Sequence, residues 1–424
     1  MDKLSKKITF YQKIKKVFFP FYKSKDIKSL FSILEKDKPK DIQVAMFVGG
    51  CVRKFLNNEN IDDIDIATTF SPQEIKEKFK DSNFKIIDTG IEHGSVTAVV
   101  NFSKFEITTL RKDVKTDGRH AEVSFTDSWK HDSERRDFTI NAIYLDVRGR
   151  IYDPQNGEED LKNKKINFIG DSSARIEEDY LRIIRYLRFC VQYNIKHSDL
   201  KTINSIKLNL NGIKNISRER ILSELYKIFN LKNISILLEN EEIKNIFLLI
   251  FPEFKYLKRF KKYTFSKNLN LIFSVLLIDE KDNYEYFCHK YKLPNSLKKN
   301  LKFIALNYNK FKEEKNFLNK NLKKNIYKHG KENIELLIKF IYCAELKFST
   351  KLLGNLLDEV DEIVIPSFPF NGQYLKEHGL IEGREIGFAL KELEKVWLDK
   401  DFKLKPNEVV TIINKVKRSS ILNI

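Results

Sequence analysis

Phe47-Val48-Gly49-Gly50-Cys51-Val52-Arg53 is followed a short way on by Asp63-Ile64-Asp65. A glycine pair opening a helix lets backbone N–H groups approach a phosphate chain, and the helix N-terminus favours the negative charge. Asp63 and Asp65, two apart on a strand, send both carboxylates to one face. Such a pair suits phosphoryl transfer at a triphosphate. Two oxygen-ligated Mg²⁺ ions would serve it, one activating an attacking hydroxyl and one neutralising the leaving pyrophosphate. Asp62 points the other way and is not a ligand in this geometry. Ile61, Ile64 and Ile66 flank the pair and bury the strand, and buried carboxylates need partners. Glu106, amid the β-formers of Phe105-Glu106-Ile107-Thr108-Thr109, is the candidate third carboxylate.

Short β runs alternating with helices must hold these groups. Ile27, Leu30, Phe31 and Leu34 have helical spacing. Val44 to Val48 reads as a strand, Gly50 to Leu56 as a helix and Asp63 to Thr68 as a second strand. Ser71-Pro72-Gln73-Glu74 predicts a helix start with a capping box. Phe84 to Ile87, Ser95 to Phe102 and Lys104 to Leu110 are β-like, the last two a hairpin around Ser103. From about Glu158 the pattern turns helical and stays so. The predicted division is a basic extension over residues 1–25, an α/β head over 26–150, a helical neck over 151–235 and a helical body and tail over 236–424.

Lys+Arg outnumber Asp+Glu by 77 to 59, a net charge of +18 in 424 residues. That excess favours a polyanionic partner, because neutralising phosphates releases condensed counterions; an AT-rich genome would give the same lysines. Cys51, Cys190, Cys288 and Cys343 are scattered, which argues against a zinc site or a disulfide framework and suits a reducing cytoplasm. The apolar run from Leu271 to Ile278 is far too short to span a bilayer, so no membrane partner is expected. The lysines between Lys3 and Lys16 read as a basic surface helix rather than a targeting segment.

Further motifs follow. They are Glu134-Arg135-Arg136-Asp137-Phe138-Thr139-Ile140-Asn141-Ala142; Asp153-Pro154 with Gly157 and Asp160-Leu161; Glu178-Asp179-x-x-Arg182-x-x-Arg185; and Ser217-Arg218-Glu219-Arg220-Ile221. Glu178, Asp179, Arg182 and Arg185 would share one helix face, which alone would suit a solvent-exposed ion-pair ladder. Together with the glycine pair and Asp63-x-Asp65, these motifs resemble, in family order, the class II (bacterial-type) tRNA nucleotidyltransferase and poly(A) polymerase family. The likeness is close over roughly half the chain. It implies a polymerase-β-like α/β nucleotidyltransferase head with a mixed sheet, followed by an all-α neck, body and tail.

The resemblance also implies roles. Gly49, Gly50 and Arg53 would bind the triphosphate; Asp63, Asp65 and Glu106 would be the metal or catalytic carboxylates; Arg136 and Asp137 would seat sugar and phosphates, backed by Asn141. Asp179 and Arg182, with Glu178 and Arg185, would select the base, since a carboxylate accepts from the amino group of cytosine or adenine and a guanidinium donates to the ring nitrogen. Arg218 and Arg220 would belong to the neck motif, and the basic body would hold tRNA by its backbone. The segment around Arg111, Asp113, Asp117, Gly118 and Arg119 resembles the flexible loop of enzymes that add the full CCA end. His131-Asp132 has the residue types of a metal-dependent phosphohydrolase pair, but no matching His and Asp set follows it, and that reading is rejected. Gly383-Arg384-Glu385-Ile386-Gly387 leads into Leu390, Leu393, Val396 and Trp397, the pattern of a core-packed C-terminal helix. The resemblance thus implies CCA addition from CTP and ATP with Mg²⁺. A poly(A) polymerase, a partial C- or A-adding enzyme and a catalytically silent RNA-binding relative remain the alternatives.

Overall fold

A computed structural model describes residues 20–39, 42–117, 120–232, 234–381 and 383–421. The chain divides into two compact units, Met1–Phe254 and Lys255–Ile424. Most of the extension expected over residues 1–25 lies outside the described residues.

In the first unit, helix α1 (Lys25–Leu34) buries Ile27, Leu30, Phe31 and Leu34, as their spacing predicts. Then follow β1 (Ala45–Val48), α2 (Gly50–Leu56), β2 (Ile64–Thr68), α3 (Pro72–Phe79), β3 (Lys85–Gly90), β4 (Ser95–Val100) and β5 (Ser103–Thr109). Strands β6 (Arg111–Asp117) and β7 (His120–Phe125), helix α4 (Trp129–Glu134), and strands β8 (Tyr144–Leu145) and β9 (Ile151–Tyr152) complete the head. Seven strands form one sheet in the order β3-β4-β5-β2-β1-β8-β9. The pairing of β2 with β5 is parallel and the other pairings are antiparallel, so the sheet is mixed.

Period-two alternation gives this sheet two unlike faces. Val96, Ala98, Val100, Phe105 and Ile107 are buried, while Ser95, Thr97, Glu106 and Thr108 occupy the alternate, more open positions. Ser71 and Glu74 form the expected capping box at the start of α3.

The segment read from sequence as a loop is different. Residues 111–117 are a strand, paired with β7 from Arg111↔Phe125 to Asp117↔His120. Val114, Thr116 and Val123 are β-formers interleaved with charges, a pattern that suits a strand. Gly118 and Arg119 themselves lie outside the described residues.

Helices α5 (Gly157–Lys162), α6 (Ser172–Glu178), α7 (Leu181–Gln192), α8 (Leu200–Asn209) and α9 (Arg218–Phe229) follow, and the unit runs on through Ile236–Glu239 and Glu241–Ile250 to Phe254. The second unit is helical throughout its regular elements. Its Leu269–Leu277 helix buries every residue from Leu271 to Leu277, so the short apolar run is core. Ile334, Leu337, Ile338 and Ile341 are buried on Lys331–Ala344. Leu393 and Trp397 are buried on Arg384–Asp399, as expected of a core-packed helix. No helix among the described residues is long and apolar enough to cross a membrane.

Candidate active site

The parallel pairing of β2 with β5 sets Asp65 directly opposite Glu106. Burial, then the facing charge of Glu106, pushes the Asp65 carboxyl above its ordinary range, against the pull of Arg136 and Arg53. Two carboxylates held side by side against their mutual repulsion fit a divalent cation. Mg²⁺ is commonly held by one or two carboxylates together with substrate phosphates and water. Among the described residues no group of three or more His, Cys, Asp or Glu side chains is arranged to hold a metal by itself. Strand β2 begins at Ile64, leaving Asp63 exposed just ahead of it. Asp63 still raises the Asp65 carboxyl through its charge. Asp62 pairs instead with Lys54 at 2.9 Å.

Gly49, with φ of 73° and ψ of −127°, turns the chain from β1 into α2. A side chain is strained there, and its Cβ would stand 3.6 Å from Asp65 Oδ2 and 3.9 Å from Arg136 Nη1. The glycine pair thus brings the α2 N-terminus against the carboxylate.

Two clefts border Asp65. One, of about 370 Å³, is lined by Gly49, Gly50, Asp137, Asn141 and Asp179 together with Arg53, Arg135, Arg136, Arg182, Arg185 and Arg188. Six guanidiniums around so small a space form a site for a polyanion, planar and permanently charged. The other, of about 440 Å³, is lined by Asp65, Glu106, His93, Ser95, Thr108 and Arg111, and again by Arg135 and Arg136.

A bonded chain stiffens the first cleft. Arg53 donates to Tyr193 Oη at 2.6 Å and to Asn141 Oδ1, and its guanidinium lies 4.8 Å from the Phe189 ring centre. Asn141 donates to Asp137 Oδ1 at 2.8 Å, and Arg185 pairs with Asp137 Oδ2 at 2.6 Å. Burial alone would raise the Asp137 carboxyl, yet Arg185 and Asn141 hold it below the usual range. A depressed folded value means that Asp137 stabilises the fold above the unfolded pKa of about 3.9, and that this contribution fades as pH falls through the folded value. Acidification from about pH 5 to about pH 3 should therefore lower the melting temperature more in wild type than in Asp137→Asn. Parallel melting curves would show that the pair adds no pH-dependent stability.

The Asp153 and Asp160 motif acts as a brace. Asp153 accepts from the backbone of Gly157 and Glu158 at 2.9 and 2.8 Å, and Asp160 accepts from Thr139 Oγ1 at 2.6 Å. A Cβ on Gly157 would fall 2.1 Å from the Thr139 carbonyl oxygen, so only glycine lets α5 dock on the turn that carries Asn141.

The shared helix face expected for Glu178, Asp179, Arg182 and Arg185 does not exist. Helix α6 ends at Glu178, Asp179 is extended with φ of −157° and ψ of 103°, and α7 starts at Leu181. Asp179 Oδ1 accepts from the Leu181 backbone at 3.1 Å, a local bond that competes with helix continuation. Asp179, Arg182 and Arg185 nevertheless line the first cleft together, and Glu178 is not among its lining residues. Glu178 instead pairs with Arg182 and with Arg175, the latter at 3.0 Å. Arg220 pairs with Asp179 Oδ2 at 2.7 Å, while Arg218 is exposed at the start of α9. Of the hairpin residues, Arg111 lines the second cleft; Asp113 and Asp117 lie on β6.

Several lining residues were not singled out from sequence. Arg188 continues the three-residue spacing of Arg182 and Arg185, a signal that was available, and pairs with buried Glu224 at 2.6 Å. Arg135 stood in the motif from Glu134 to Ala142 without a role, and His93 and Phe189 carried no spacing signal of their own.

Comparison with known proteins agrees with this geometry. Residues 45–167 match the poly A polymerase head domain family. Human mitochondrial CCA tRNA nucleotidyltransferase 1 is 34% identical over 441 aligned residues, covering 97% of this chain and 95% of the relative. The CCA-adding enzyme of Streptococcus uberis is 29% identical, covering 90% and 95%. The crystal structure of the Bacillus stearothermophilus CCA-adding enzyme in complex with CTP superposes with a TM-score of 0.69 at 22% identity, covering 95% of this chain and all of that one. The carboxylate pair and the glycine turn stand in a mixed-sheet head, the arginine-lined cleft lies between that head and α7, and the chain aligns with these relatives over most of its length: it belongs to the family of CCA-adding tRNA nucleotidyltransferases.

Proposed function

We propose that this nucleotidyltransferase adds CMP and AMP from CTP and ATP to the 3′ end of tRNA, with protein side chains in place of a nucleic-acid template. The observation that carries this reading is that two clefts share Asp65, one ringed with guanidiniums and one open along the polar sheet face. An in-line displacement needs its nucleophile and its leaving group on opposite sides of the reacting phosphorus. The arginine-lined cleft would take the nucleoside triphosphate, its phosphates against the Gly49 and Gly50 amides and Arg53. Asp179 and Arg182 would read the base edge. The cleft containing Glu106 would receive the terminal ribose of the RNA.

The family is one of metal-dependent nucleotidyltransferases. We assign two Mg²⁺ ions to Asp63 and Asp65, with Glu106 as the further catalytic carboxylate; when bound, the ions would supply charge neutralisation at the attacking and leaving oxygens. Arg136 and Asp137 would then seat sugar and phosphates, with Asn141 behind them. The hairpin β6–β7 would help change the nucleotide preference from C to A. The helical neck would carry the selecting residues, and the lysine-rich body and tail would hold tRNA through its phosphates. The four cysteines are buried and unpaired, which supports a reducing compartment, here proposed as the cytoplasm.

The test is extension of tRNA lacking its 3′ end with CTP, ATP or both, read at one-nucleotide resolution. Two additions with CTP alone and termination after CCA with both are expected. Long A-tails on varied RNAs would instead assign the chain to poly(A) synthesis, and arrest after one type of nucleotide to partial addition.

A further inference from the structure

We propose that Asp132 is a positioning residue for nucleotide transfer, a single carboxylate that fixes Arg135 and Arg136 between the two clefts and ties the start of the β6–β7 hairpin to them. This rests on the transfer reading of the clefts. Asp132 sits on α4 and is only 1% exposed. Its Oδ1 accepts from Arg135 Nε at 2.9 Å and Nη2 at 2.6 Å, and from the Arg111 backbone N–H at 3.4 Å. Its Oδ2 accepts from Arg136 Nη2 at 2.9 Å and Nε at 3.2 Å, and from the Tyr144 hydroxyl at 2.7 Å. Burial would raise this carboxyl, but Arg136 and Arg135 hold it well below the carboxylate range. Both oxygens accept only from donors, and all of these except the buried Tyr144 hydroxyl belong to residues that line the clefts.

What those partners do distinguishes this cluster from an ordinary buried ion pair. Arg135 and Arg136 are consecutive cations that would repel each other without a shared counter-charge. Each lines both clefts. With Nε and Nη2 of Arg136 held by Asp132, its Nη1 lies 3.4 Å from the Asn141 carbonyl oxygen and 3.9 Å from the position a Gly49 Cβ would take. That end of the guanidinium faces the point where α2, Asp65 and a passing phosphate chain meet. Arg111, anchored through its backbone, lines the second cleft and donates from Nη1 to the His93 carbonyl. One carboxylate thus sets the direction of charge on both sides of Asp65.

The loss should fall on turnover more than on binding. The Gly49 and Gly50 amides, Arg53, Arg182, Arg185 and Arg188 stay in place without Asp132, whereas Arg136 would turn away from the reacting centre. Asp132→Asn keeps the shape, but its amide N–H₂ must meet a guanidinium whichever way it flips, donor against donor. A misplacement of about 1 Å near the chemistry is worth roughly a hundredfold in rate.

The experiment measures kcat and KM for CTP on tRNA lacking its 3′ end, in wild type, Asp132→Asn, Arg136→Ala and the double variant. Asp132→Asn should lower kcat about a hundredfold with KM for CTP within about threefold of wild type. In the Arg136→Ala background the same change should lower kcat by no more than about threefold, because groups acting through one another are not additive. Tyr144→Phe, which removes only the supporting hydroxyl, should lower kcat about fivefold while the protein still folds, with a melting temperature lower by only several degrees, and it decides the matter if Asp132→Asn does not fold. A full effect of Asp132→Asn on the Arg136→Ala background, a loss confined to KM, or unchanged kcat in Tyr144→Phe would each overturn the proposal. A wild-type protein that adds no nucleotide would instead remove the transfer reading, and this proposal with it.

Discussion

Asp65→Ala should lower nucleotide addition by about a thousandfold or more while tRNA affinity stays within about threefold of wild type. Asp65 is the carboxylate common to both clefts, it faces Glu106 in register, and the Gly49 turn packs against it. Removing it takes away the group on which a cation, the triphosphate and the acceptor ribose would converge, and several kcal/mol of transition-state charge stabilisation go with it. On the proposed mode of binding, tRNA would be held mostly by phosphate contacts distributed over a large basic surface, so one half-buried strand carboxylate would contribute little to that affinity. Asp65→Asn should behave like the alanine variant, because shape is preserved and charge is not. Asp63 provides an internal comparison. It lies ahead of the strand and is exposed, so its replacement should cost less than that of Asp65 even if it binds metal. Single-turnover extension and a separate tRNA-binding titration measure the two quantities. Retention of a tenth of wild-type addition by Asp65→Ala would sink the assignment of this carboxylate.

The elements around Asp65 were legible because their signals are local. The glycine pair, the alternation along β4 and β5 and the Ser71 capping box each lie within a few residues, and each specifies its own backbone. The pairing of Asp65 with Glu106 was only half legible. Both acids were visible, but their parallel register spans 41 residues and depends on the whole sheet. Asp132 was harder still. In sequence it is one acid in a charged run, and its value as a shared acceptor for Arg135, Arg136 and Tyr144 exists only after α4 is buried beside β8. The break between α6 and α7 also escaped pattern reading, since Glu178, Asp179, Arg182 and Arg185 keep helical spacing and neither glycine nor proline interrupts them. Here a side chain bonding to the Leu181 backbone redirects the chain. That redirection carries Asp179 into the cleft and leaves Glu178 behind as a brace for Arg182.

Asp179→Ala should erode the preference for CTP over UTP by about ten- to a hundredfold, with much less effect on triphosphate binding. Cytosine and adenine both offer an amino group to a carboxylate and a bare ring nitrogen to a guanidinium. Uracil and guanine offer a carbonyl and an N–H at those places, so each would face acceptor against acceptor and donor against donor. The two residues proposed to read the base are held by the protein itself. Arg220 and the Leu181 backbone fix the Asp179 carboxylate, and Glu178 and the Arg175 carbonyl fix the Arg182 guanidinium, the last contact at 2.7 Å. A fixed carboxylate rejects uracil because the uracil carbonyl offers no donor, and acceptor then faces acceptor. The triphosphate end would rest on different groups, namely Gly49, Gly50 and Arg53. Discrimination and binding should therefore separate in one variant. The measurement is the ratio of kcat/KM for CTP to that for UTP in wild type and Asp179→Ala, on the same tRNA lacking its 3′ end. An unchanged ratio would reduce Asp179 to the ion-pair partner of Arg220 and move base selection elsewhere in the cleft.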